Sequence, residues 1–123
     1  MHTFRFGGFV AAALAGWIAL GPGAACAHAI VVSSVPAAGA VVHDKGGRVI
    51  VRFNSRIDKL RSRLLLVHPD GSSTTLELGE TPGPDTLAAT IGDLAPGSYR
   101  LRWQVLAIDG HITRGDIPFT VAP

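Results

Sequence analysis

"YRLRWQVLAIDGHITRG", Tyr99 to Gly115, decides the fold. In its first half Tyr99, Leu101, Trp103 and Val105 alternate with Arg100, Arg102 and Gln104. A period of two puts the apolar set on one face of a strand and the polar set on the other, so the segment predicts a strand half-buried against a core. The alternation stops at "IDGHITRG", where Asp-Gly supplies a turn signal.

The same period recurs on both sides. In "RVIVRF", Val49, Val51 and Phe53 share a face opposite Ile50 and Arg52. "LLLVH", "PDGS" and "TTLEL" predict a hairpin between Leu64 and Leu78, with Pro69, Asp70 and Gly71 in the turn. Thr86 to Ile91 is a further strand, and a last one spans Ile117 to Val121, with Pro118 at its start or on an edge because proline has no amide proton to donate. "LAPGSY" turns at Pro96 and Gly97 and delivers Tyr99 where a sandwich uses a tyrosine hydroxyl to bond a corner. "GETPGPDT", Gly79 to Thr86, is a surface loop. No segment has a sustained helical period. The fold class that follows is all-β, a small Greek-key, immunoglobulin-like β-sandwich of about seven strands.

The start of the chain reads differently. Arg5, an apolar run from Phe9 to Leu20 and the small-residue exit "ACA" form a secretory signal over residues 1–27, with cleavage after Ala27. That run is too short to span a bilayer, which needs about 20 residues, and no later segment is long enough. Residues 28–123 are then a single exported domain with no transmembrane segment. Arg5 is the only charged side chain in the leader, so the 11 Lys and Arg fall to ten against nine Asp and Glu. The basic residues are scattered and form no stripe, which argues against nucleic acid as a partner. The one cysteine, Cys26, lies in the leader, so the mature domain has no disulfide or thiolate ligand. Lipidation of Cys26 is the alternative, against which Gly23 stands where such sites usually carry Leu.

Cleavage after Ala27 makes His28 the first residue, with a free amine beside its imidazole. Asp109 and His111, two apart, project to one side of an extended segment and make half of a metal site. "DGH" by itself is an ordinary turn sequence. If His28 meets it at one end of the sandwich, a metal sees the amine, two imidazole nitrogens and a carboxylate oxygen. Nitrogen-rich surroundings without sulfur suit Cu(II), which favours tetragonal N,O geometry; Zn(II) accepts the same donors but gains less from a flat chelate. His43 and His68 are isolated from paired donors and read as structural or solvated.

"AHAIVVSSVPAAGAVV", "YRLRWQVLAIDGHITRG" and "PFTV" together resemble the CopC family of periplasmic copper-binding proteins over nearly the whole mature chain. The resemblance implies one Cu(II) per chain, held by His28, Asp109 and His111, and a role in copper resistance or homeostasis. It also implies a CopD-like inner-membrane copper transporter as partner, and no enzymatic activity. Two departures stand out. Some members hold Cu(I) in a methionine-rich segment, whereas the only methionine here is Met1, in the leader. Relatives often have Ser where this chain has Ala107, which removes a hydroxyl near the site.

Two other classes of function use the same features. An N-terminal histidine with a second histidine also holds copper in small oxidative enzymes, although Asp109 would fill a position such a site keeps open for oxygen. A metal-free sandwich serving as a surface interaction module is the third reading, since immunoglobulin-like folds host many unrelated tasks.

Overall fold

A computed structural model of the chain describes residues 29–43 and 46–123. The leader, the cleavage point, Cys26 and His28 lie outside the described residues. Eight strands follow in order: β1 (Val31–Val35), β2 (Ala40–Val42), β3 (Gly47–Phe53), β4 (Ile57–Val67), β5 (Ser73–Thr75), β6 (Thr86–Ile91), β7 (Gly97–Ala107) and β8 (Ile112–Val121). They form a three-stranded sheet, β1-β3-β6, and a five-stranded sheet, β2-β8-β7-β4-β5. The all-β sandwich expected from the alternation is what forms, and among the described residues no helix is long and apolar enough to cross a membrane.

The core is the set of inward positions the alternation singles out. Val49, Val51 and Phe53 from β3 face Leu101, Trp103 and Val105 from β7, all buried. Phe53 meets the edge of Trp103 with ring centroids 5.1 Å apart at 71°, joining the two sheets near one end. The indole fits because Gly115 lies opposite it in the β7–β8 register. A Cβ there would stand 2.5 Å from Trp103 Cζ2. At the other end Tyr99 donates from its hydroxyl to the Ala95 carbonyl at 2.7 Å, the corner bond expected of it, and its ring stacks on Phe119.

Four local findings refine or correct the sequence reading. The first leaves the count of about seven strands standing: β2, only three residues long, is a strand that no alternation announces, and it runs parallel to β8. The second concerns Pro118, which lies inside β8, flanked by β2 and β7, and not at its start. Its carbonyl accepts from Gly39 N at 2.7 Å on the β2 side, and the β2 ladder begins one residue later, at Phe119. The missing donor therefore falls ahead of that ladder. Third, β4 starts at Ile57, seven residues before Leu64, and the polar "DKLRSR" hides it because an irregularity separates Asp58 from Arg63 in the pairing with β7. Fourth, "TTLEL" is not a full hairpin strand. The turn bonds His68 N to Ser72 O, but pairing with β4 ends at Thr75, and Leu78 bridges Ala89 of the other sheet.

Candidate metal site

The hairpin of β7 and β8 carries the Asp109–His111 pair on its connecting turn. Leu106 pairs with Ile112, and between them Ala107 N donates to His111 O and Gly110 N to Ala107 O, both at 2.9 Å. Gly110 takes φ of +92°, a conformation that a side chain would strain, which is why a glycine separates the two. Ile108 N donates to Arg56 O at 3.0 Å and pins the turn to the start of β4.

Within this frame Asp109 Oδ1 accepts from His111 N at 3.0 Å, while Oδ2 lies 3.4 Å from His111 Nδ1. The two side chains do come together, by a route other than the expected one. A turn closed by an Asp oxygen on the amide two residues on brings them to one place, where strand alternation was expected to do so. Their side chains are 34% and 58% exposed, open enough to receive an ion from solvent. Among the described residues no group of three or more His, Cys, Asp or Glu is placed to hold a metal. A complete site needs a donor from elsewhere, and His28 is outside the described residues.

What is described is the residue next to it. Ala29 is buried to 3% exposure, its methyl in the core, and its carbonyl accepts from Thr113 Oγ1 at 3.2 Å. Ile30 is clasped by Asn54, which accepts from Ile30 N on Oδ1 at 2.9 Å and donates its own N to Ile30 O at 2.9 Å. Thr113 is two residues past His111, so the chain enters the sandwich beside the turn. Asn54 and Thr113 escaped sequence reading because their partners are 24 and 84 residues away. A short polar residue directly after an apolar strand was the only local hint, and that is common at any strand end.

The other described histidines, His43 and His68, are placed elsewhere. His68 follows β4, whose Val67 pairs with Arg100 near the start of β7. Its Nε2 meets Thr74 Oγ1 at 2.9 Å and its ring meets Tyr99 edge-on. At about 3.3 Å per residue, the eight strand residues from Arg100 to Ala107 separate it from the turn by more than 20 Å. His43 follows β2, whose Val42 pairs with Val121 opposite Gly97, at the same far end. Ala107 is 2% exposed, its methyl packed inward and not toward the turn's polar surface.

An immunoglobulin-like sandwich with an exposed Asp–His turn at one end, and its N-terminal arm bonded beside that turn, defines a class of small β-proteins with a polar end site. The model of the CopC domain matches residues 31–122, and the chain belongs to the CopC family. Among solved structures it is similar to CopC from Methylosinus trichosporium OB3b, with 30% identity and a TM-score of 0.71 over 78% of this chain and 95% of that one. It also has the fold of PcoC, a methionine-rich copper resistance protein from Escherichia coli, at 24% identity and a TM-score of 0.64 over 77% of this chain and 99% of that one. A comparison with curated proteins finds no match.

Proposed function

We propose that the chain is a periplasmic Cu(II)-binding protein of copper resistance or homeostasis, released from its leader after Ala27. In this reading one Cu(II) is held by the amine and imidazole of His28, an imidazole nitrogen of His111 and a carboxylate oxygen of Asp109. The observation that carries it is the bond from Thr113, two residues past the Asp109–His111 pair, to the carbonyl of Ala29, the neighbour of residue 28. Consecutive Cα atoms lie about 3.8 Å apart, so residue 28 is tied by one peptide unit to a residue anchored beside Thr113.

The donor chemistry supports copper in its oxidised form. Two imidazoles, an amine and a carboxylate are borderline-to-hard ligands that suit Cu(II), and the mature chain contains neither cysteine nor methionine to favour Cu(I). Both binding nitrogens of His28 must be deprotonated, and the amine has a reference pKa of about 7.7 to 8, so the ion competes with a proton near neutrality. Copper is cargo in this account. The protein sequesters it or passes it to a CopD-like inner-membrane transporter, and no catalytic step is asked of it. Membership of the CopC family is consistent with that role.

The test is a Cu(II) titration, against a competing chelator, of protein purified with residue 28 at its N-terminus. One equivalent should bind, with an affinity that falls by at least about a hundredfold in Asp109→Ala and in His111→Ala. His43→Ala and His68→Ala should leave it unchanged. Equal losses in all four variants, or no saturable binding, would overturn the assignment.

A further inference from the structure

We infer that Asn54 and Thr113 are positioning residues for the copper site: together they clasp the N-terminal arm at Ala29 and Ile30 so that the chain's first residue is presented to Asp109 and His111. The inference rests on the copper-binding reading above and extends it to two residues that would touch no metal.

The arm needs a device of this kind. Pairing of β1 with β3 begins only at Val31, opposite Phe53, and its register shifts before Ser33. The strand ladder thus gives out before Ala29. Beyond it the backbone is held by three bonds from two elements. Asn54, the residue that follows β3, engages both the amide and the carbonyl of Ile30, as a further rung of the sheet would. Thr113, on β8 opposite Val105, takes the Ala29 carbonyl. It reaches the arm from the strand that begins immediately after His111, so arm and turn are fixed to one rigid hairpin. Burial of the Ala29 methyl supplies a second restraint on that residue.

The consequence is preorganisation. A ligand on a free chain end must be ordered when the metal binds, and that ordering lowers affinity; a ligand on an anchored end is ordered already. Outer groups that orient metal ligands typically change affinity ten- to a hundredfold when removed. Asn54 and Thr113 qualify on geometry: Asn54 is exposed just past the end of β3, and Thr113 is half-buried on the inward face of β8, so Thr113→Val keeps its volume while removing the hydroxyl.

Cu(II) affinity should fall about tenfold in Asn54→Ala and in Thr113→Val, and further in the double variant. Asn54→Asp, which keeps the acceptor oxygen, and Thr113→Ser, which keeps the hydroxyl, should restore most of it. The decisive arm adds one glycine before residue 28. If the clasp acts through the first residue, the double variant lowers affinity in the native-start protein and has no effect in the extended one. A merely structural role would lower both alike, and unchanged affinity in the double variant would also overturn the inference. The two readings fail separately. Absence of copper binding in the unmutated protein, or indifference to His111→Ala, refutes the copper site itself, whereas binding that needs His111 but ignores Asn54 and Thr113 refutes only the clasp. Electron paramagnetic resonance of the bound Cu(II) supplies a second readout, because a loosened arm should reduce the nitrogen coupling while urea midpoints of the metal-free variants show whether the fold survives.

Discussion

The two ends of the β7–β8 hairpin are built from the same strands and do opposite things. At the Tyr99 end the polar atoms are consumed internally, the hydroxyl by Ala95 and the ring by Phe119, and the residue is 4% exposed. At the Asp109 end polar side chains stand in solvent, held by backbone bonds of the turn and by the arm that enters beside it. One end commits its tyrosine to the fold, and the other presents the Asp109–His111 pair at the surface, where we propose that copper binds. Changes at the first end should therefore move unfolding and spare the proposed copper site, and changes at the second should do the reverse.

The sharpest break of that contrast lies between the ends. Gly115→Ala places a methyl where the Trp103 indole lies, 2.5 Å from Cζ2. Moving the ring disturbs its contact with Phe53, so we expect a loss of about 1 to 3 kcal/mol in a urea titration. Trp103 fluorescence should shift with it. Tyr99→Phe is the next largest. It removes the donor to the Ala95 carbonyl while keeping the stack on Phe119, and should cost about 1 kcal/mol by thermal denaturation with no change in Cu(II) affinity. A change in affinity would show that the two ends are coupled.

Asp116 sits midway on the outer face of the five-stranded sheet and gives the smallest effect. The Arg102 guanidinium that bonds it, with Arg100 alongside, holds its carboxyl below the usual carboxylate range. A depressed folded-state value means the contribution is present above the unfolded pKa of about 3.9 and is lost as pH falls through the lower folded value. The groups are partly exposed and screened, so Asp116→Asn should cost no more than about 1 kcal/mol at neutral pH. That difference from the unmutated protein should shrink in urea titrations run progressively below about pH 4. A deficit that stays constant into strong acid would mean the loss is one of packing.

How legible each end was in the sequence follows from the range of its interactions. β3 and β7 could be read because inward and outward residues alternate within a few positions, β6 as a short, mostly buried apolar run, and Tyr99 because its partner is four residues away. Asp109 and His111 are visible as a pair for the same reason, although a turn and not an extended segment brings their side chains together. The short parallel strand β2, the hidden first half of β4 and the clasp by Asn54 and Thr113 all depend on partners distant in sequence. Local pattern carries no signal for such contacts. His28 is a third kind of case, since its proposed chemistry arises only when proteolysis exposes its amine.

The most direct test compares Cu(II) affinity and paramagnetic resonance for two proteins that differ by one residue, the chain beginning at His28 and the same chain with a glycine added before it. The account predicts a nitrogen-rich tetragonal signal and tight one-to-one binding in the first, with affinity falling by orders of magnitude and the signal changing in the second. Identical affinity and spectrum in the two proteins would contradict it.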